Sequence, residues 1–193
     1  MTIPSVPNIA AVILAAGKGT RMKSDLHKVL HPIAGHPMLL HLAESVAALN
    51  PERTVVVTGA GREQVEAAVA PLGIVTAIQA EQLGTGHAVA QAEAALAGFE
   101  GDVLVLYGDV PLVSSATMAA MVARLHAPDS PAVVVLGFRP ADPAAYRGRT
   151  PRTGRRARDR GRTLMLSNSA CLERMPYAPT RFEHVIGRLG TLA

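Results

Sequence analysis

A three-layer α/β sandwich on a mainly parallel sheet is the fold class that this 193-residue sequence predicts. Apolar, β-branched runs recur at residues 9–15, 54–58, 73–79, 103–107 and 132–138, with helical patterns between them at 38–49, 62–70, 87–96 and 115–125. The runs are close to continuously apolar, as strands covered on both faces must be. Strand and helix alternate one for one up to about residue 146, which calls for βαβ units with right-handed crossovers.

The elements follow in order. The first run, IAAVILA, contains no polar residue and ends against AGKGTRMK, a stretch crowded with glycine and positive charge. The first helical pattern, from Met38, spaces its leucines and valine by three and four; the strand TVVVT follows it. The pattern from Arg62 leads to a run ending in Gln79, and the next opens just after a Gly-Thr-Gly turn. The fourth strand, VLVLY, ends in Gly-Asp; a helix from Ser115 and the run AVVVLGF complete the alternation. At Arg147 the periodicity stops. We expect an ordered core over residues 1–146 and a loosely structured tail over 147–193, where the stretch after residue 162 has one short apolar run and one weak helical pattern.

Composition narrows the class further. Hydrophobic residues make up 49% and aromatics 3%, a globular mixture that leans on Ala, Val and Leu. The longest purely apolar run, residues 9–16, is far short of the ~20 residues a bilayer span needs. The N-terminus has no secretory leader pattern and Cys171 is the one cysteine. A cytoplasmic protein without a membrane partner is therefore expected. The formal net charge of +4 is local: residues 147–162 hold eight Arg against Asp159, which leaves −3 for the other 177 residues. That tract has no aromatic residue for base stacking, so it supports non-specific polyanion binding and no specific nucleic-acid partner.

In a parallel α/β sheet, ligands bind beyond the carboxyl ends of the strands. Three constellations fall there. In the first loop, Gly17 and Gly19 let backbone amides close around an anion, and Lys18, Arg21 and Lys28 supply positive charge. The spacing is neither a Walker A loop nor a dinucleotide fingerprint, since Met22 stands where a third glycine belongs; a plain βα turn with solvated cations fits it too. In QAEQLGTGHA, Gln79 and Gln82 offer the donors and acceptors that read a base edge, beside Gly84 and Thr85 at a helix start. A capped helix start is the simpler reading of that stretch alone. In LYGDVPL, Asp109 places a carboxylate at a strand end, suited to Mg²⁺ bridging phosphate oxygens or to capping a loop. Taken together, the three describe a nucleotide with Mg²⁺. His27 and His31 are four residues apart but lack the intervening Glu of the zinc-protease pattern.

LAAGKGTRM with a following lysine resembles the signature of the nucleotide-sugar pyrophosphorylases. AEQLGTGHAV and LYGDVPL narrow the resemblance to the uridylyltransferase half of the bacterial bifunctional enzymes of UDP-N-acetylglucosamine synthesis, over roughly residues 9–146. The resemblance implies a Rossmann-like nucleotidyltransferase fold, here incomplete at the C-terminus. It also implies transfer of UMP from UTP to N-acetylglucosamine 1-phosphate with release of pyrophosphate. By resemblance, Leu14, Ala15 and Gly17 hold the nucleotide through their backbone, and Arg21 and Lys28 are the catalytic cations on the phosphates. Gln79, Gln82, Gly84 and Thr85 lie on the uracil side; Tyr107 and Gly108 belong to the nucleotide-binding strand end, and Asp109 is a Mg²⁺ ligand. A homo-oligomer is compatible with this reading.

The sequence departs from that family after Tyr146. Arg147 is interposed and an Arg-rich tract replaces the expected continuation; Asn168 stands near a family asparagine but lacks its following glycine. A change of reading frame near codon 147 would produce such a switch. The later metal-binding Asn and the acetyltransferase half of the family do not appear before Ala193. Impaired activity is therefore expected. The rival readings are another nucleotidyltransferase of the molybdopterin guanylyltransferase type, a non-catalytic nucleotide-binding remnant, or a basic nucleic-acid binder acting through residues 147–162.

Overall fold

The computed structural model describes residues 8–17, 19, 22–129, 131–136 and the backbone of 164–168. Strand β1 (Ile9–Leu14) is the centre of a six-stranded sheet. It pairs in parallel with β4 (Arg53–Thr58) on one side and β6 (Asp102–Tyr107) on the other, with Val12 opposite both Val55 and Val105. Beyond β4 lies β5 (Val75–Ile78), also parallel. The order 3-2-1-4 of these parallel strands makes β1 and β6 the point at which the winding reverses, where an α/β sheet opens a crevice.

β1 is apolar throughout because both of its faces are covered. Ala11 and Ile13 join Val56, Leu104 and Leu106 in a core packed by three helices. These are α1 (Met38–Ala47) through Leu39, Leu42 and Val46, α2 (Arg62–Val69) through Val65 and Val69, and α4 (Ser115–Leu125) through Met118, Met121 and Val122. Ala10 and Val12 face the other way, with Val55, Val57, Val103 and Val105, toward Phe99 and α3 (Thr85–Ala90). The period of two along β1 thus divides one strand between two cores. Ser114 caps α4, its hydroxyl accepting the Thr117 amide at 3.2 Å.

Four differences from the expected elements have physical reasons. The third helix begins at Thr85, not at residue 87, and its α-helical part closes at Ala90, with a 3-10 turn at Ala94–Leu96; Gly84, at φ 105°, enters it without a side-chain cap. The Gly-Thr-Gly turn is therefore partly the first turn of the helix, hidden by glycine's low helix propensity. A small hairpin, β2 (Pro32–Ile33) with β3 (His36–Pro37), turns through Ala34 and Gly35, at φ 50° and 82°. Two positive φ values at the centre of a two-residue loop make the hairpin-compatible primed turn, and two-residue strands leave no periodicity to read.

The other two concern the far edge. β7 (Val133–Leu136) is separated from β6 by β8 (Leu164–Asn168), which runs antiparallel to both. The expectation that the tail beyond Tyr146 is loosely structured is thus corrected for these five residues: LMLSN supplies a sheet strand. The Arg tract at 147–162 and the rest of the tail lie outside the described residues. Among the described residues no helix is long and apolar enough to cross a membrane.

Candidate functional site

The carboxyl ends of β1, β5 and β6 open onto one cavity of about 330 Å³. The β1 end is held from both sides: Ala15 donates its amide to Val57 O at 2.8 Å, and Leu14 O accepts from Gly108 N at 2.9 Å. Two glycines permit this closeness. A Cβ on Gly59 would stand 2.6 Å from Ala16 O, and one on Gly108 would stand 3.1 Å from Leu14 O. Gly19 adopts φ 58°, while Gly17 stays out of the left-handed region, with open space where a Cβ would be.

Lys28 opens a short 3-10 turn whose next two residues, Val29 and Leu30, are buried. Those two anchor the turn in the core and leave the lysine at the cavity. Its ammonium is ion-paired with Asp109, just past the end of β6, the side chains being 30% and 18% exposed. Below the turn, His27 is 6% exposed and neither ring nitrogen has a hydrogen-bond partner. Burial holds its pKa below the ordinary imidazole value.

On the β5 side, Gln79 continues the ladder by donating its amide to Thr58 O at 2.7 Å. The residue is 4% exposed, with Nε2 3.1 Å from Gly84 O. Gln82 reaches across to β1, Nε2 donating to Ala16 O at 2.6 Å. Tyr107 is hydrogen-bonded to the Thr85 side chain; burial raises the phenol pKa, the Thr85 contact lowers it and the charge of Asp109 adds to the rise. A second recess, of about 520 Å³, lies beyond Gln79 and Gln82 against Gly59–Glu63.

Of the residues singled out in the sequence, Leu14, Ala15, Gly17, Lys28, Gln79, Gln82, Gly84, Thr85, Tyr107 and Asp109 all line the first cavity. Gly108 does not line it and serves as the close-packing residue under Leu14. Arg21 and Lys18 lie outside the described residues. Ala16, Val29 and Ala88 also line the wall, and as small or apolar residues they carry no chemical signal that could have marked them. His87, whose Nδ1 stands 3.1 Å from the Gln79 amide nitrogen, lies within QAEQLGTGHA, where nothing but the fold marks it.

Chemically, the cavity presents the small residues of the β1 loop and the Lys28 side chain, the side-chain amides of Gln79 and Gln82 on one wall, and the Asp109 carboxylate. Among the described residues no group of three or more His, Cys, Asp or Glu could hold a metal ion. Asp109 alone nevertheless fits Mg²⁺, which keeps several waters and binds through one or two carboxylates together with phosphate oxygens.

Over 137 residues the chain is 69% identical to the bifunctional protein GlmU of Rhizorhabdus wittichii, an alignment covering 71% of this chain and 30% of that protein. It is 60% identical over 173 residues to GlmU of Sphingopyxis alaskensis, covering 85% and 38%. The chain thus spans roughly a third of the length of these curated relatives. The crystal structure of Rv0371c from Mycobacterium tuberculosis superposes with a TM-score of 0.68 at 16% identity, over 97% of this chain and 85% of that one, a likeness of fold. The MobA-like NTP transferase domain matches residues 11–172, from the second residue pair of β1 to just past β8. A sheet with this winding, a cavity at its reversal point and a match over most of the sequence make the chain a member of the MobA-like NTP transferase domain family.

Proposed function

We propose that the cavity binds UTP and that the chain's chemistry is transfer of UMP to N-acetylglucosamine 1-phosphate, with release of pyrophosphate. The observation that carries this reading is the convergence of Gly17, Lys28, Gln79 and Asp109 on one cavity from three separate stretches of the sequence. Such a set suits a triphosphate, a base edge and a divalent cation together. High identity to proteins named GlmU supports the choice of uridine and of the sugar phosphate.

In this reading the amides after β1 and the Lys28 ammonium hold the phosphates, with Arg21 as the second cation. Gln79, Gln82, Gly84 and Thr85 hold the base, and Asp109 holds the metal. A phosphate oxygen of the sugar phosphate forms a bond to the α-phosphorus of UTP. The bond from that phosphorus to the bridging oxygen of the β-phosphate breaks, and pyrophosphate carries away the electron pair. Mg²⁺, when bound, supplies neutralisation of phosphate charge. No protein nucleophile is needed, so the residues act by positioning and by fixed charge.

Turnover is expected to be low, because residues 147–162 carry Arg-rich sequence in place of the segments that resembled enzymes use for the sugar phosphate. The test is UTP titration by calorimetry and pyrophosphate release with N-acetylglucosamine 1-phosphate. Both are run beside a chain given a family-like continuation after Tyr146. UTP binding in both chains, with faster release in the second, is the expected result. Absence of UTP binding, or tighter binding of GTP, would overturn the reading.

A further inference from the structure

The side chain of Gln79 ends in one acceptor oxygen and one nitrogen with two hydrogens. That nitrogen stands 3.1 Å from Gly84 O and 3.1 Å from His87 Nδ1. The Gly84 contact sets the sense of the amide, since its oxygen would be repelled by another carbonyl oxygen. The second hydrogen therefore meets the imidazole. A neutral imidazole has one acceptor nitrogen, and Gln91 also presents its amide nitrogen, to His87 Nε2 at 3.1 Å. The two glutamines compete for a single lone pair. Gln91 is half-buried and already donates to the His87 carbonyl oxygen, so its remaining hydrogen can turn toward water. Gln79 is almost completely buried, and its amide nitrogen faces Gly84 O and His87 Nδ1 at once, so its second hydrogen stays on the imidazole. On that ground the acceptor is Nδ1 and the ring proton sits on Nε2.

We propose that His87 is a positioning residue that sets base specificity: it takes the last donor hydrogen of Gln79 and leaves Oε1 as the only group of that side chain a bound base can meet. This rests on the uridine reading above. An acceptor fixed on the wall admits a pyrimidine that offers an N–H at N3, as uracil does. It refuses one that offers a lone pair there, as cytosine does. His87 is not among the residues lining the cavity, so it acts through Gln79. Without the imidazole, the Gln79 amide would lose one of the two contacts that hold it and could present either end.

The experiment compares UTP and CTP affinities of the full chain and its variants by calorimetry with Mg²⁺ present. The parent should prefer UTP. His87→Ala should reduce the ratio of UTP to CTP affinity about tenfold, the scale of one net hydrogen bond. His87→Asn, whose side-chain amide reaches the region of Nδ1, should keep the preference; His87→Gln, which reaches toward Nε2, should lose it. If the alanine variant does not fold, the Asn and Gln pair carries the same comparison. Equal weakening of both nucleotides, or an unchanged ratio in His87→Gln, overturns the role of His87 while leaving the uridine reading in place. A parent that binds UTP and CTP alike overturns the uridine reading and this inference with it.

Discussion

Gly17→Ala puts a methyl group on the loop after β1 at a point where a Cβ meets nothing within 4 Å. The glycine does not occupy the left-handed region, so alanine adopts its backbone without strain there. Removing glycine's freedom from the unfolded chain stabilises a protein by about 0.4–1 kcal/mol at such a site. For a chain of this size that raises Tm by roughly 1–4 °C. Nucleotide binding should move the other way. Gly17 lines the cavity, and a phosphate oxygen seated on the loop amides would share its space with the new methyl. Loss of one hydrogen bond to a charged oxygen costs about 1.5–3 kcal/mol, or roughly 10- to 150-fold in affinity. The assay is a thermal melt paired with calorimetric titration of UTP. A variant that melts higher and still binds within twofold of the parent would refute the claim that these amides hold phosphate, because the methyl would then stand in space the ligand does not use.

Gly59→Ala, by contrast, should cost stability and binding together. Its Cβ would meet Ala16 O at 2.6 Å, a backbone clash on the scale of about 1–3 kcal/mol, and it displaces the carbonyl that accepts from Gln82; an unchanged melt would mean the strand ends are looser than this packing implies. Asp109→Asn should abolish most of the Mg²⁺-dependent gain in UTP affinity, measured by titration with and without the ion, and a persisting gain would assign the metal elsewhere. His27→Leu should flatten the acid side of the stability curve. Burial holds the folded-state pKa of His27 down, so below about pH 6.5 the unfolded chain takes up the proton first. Stability is then complete above that pH and falls as the pH drops toward the folded-state value. Parallel denaturation curves for parent and variant between pH 5 and pH 7, on the order of the imidazole range, would show that the ring is not buried neutral.

Five strands and four helices were legible because their residues answer to one environment each. IAAVIL is apolar throughout since both faces of β1 are covered, and Leu39, Leu42 and Val46 repeat at helical spacing since one face of α1 is. What escaped was set by contacts rather than by pattern. β8 is one short apolar run after sixteen residues without periodicity, and its place in the sheet comes from the neighbours that β6 and β7 offer it. The hairpin at Ile33–His36 depends on the backbone of Ala34 and Gly35, with no side-chain repeat to announce it. In the site, Lys28, Gln79 and Asp109 were legible as chemistry at the carboxyl ends of strands, but the ion pair between Lys28 and Asp109 required the fold. Gly108 stands inside a motif that points to ligand binding, and a Cβ built there would meet Leu14 O, Val29 and Ala15, a packing demand that the motif does not announce.

The pairing of Lys28 with Asp109 has a consequence for how the proposed ligands would bind. One charge comes from a turn anchored by Val29 and Leu30, the other from the end of β6, and each lies close enough to the other to be its counter-ion. A triphosphate that draws Lys28 away leaves a carboxylate facing a polyanion. A divalent cation that draws Asp109 away leaves an ammonium facing a second positive centre. Either ligand alone therefore breaks a favourable contact and creates a like-charge one, in a setting where partial burial weakens screening. When both arrive, phosphate takes the lysine, the cation takes the aspartate, and the two ligands neutralise each other. Nucleotide and metal should consequently strengthen each other's binding, and by linkage the factor must be the same in both directions. In the proposed function the ion pair would thus make the metal a condition for tight nucleotide binding, with Asp109 as the one carboxylate among the described lining residues that could hold it.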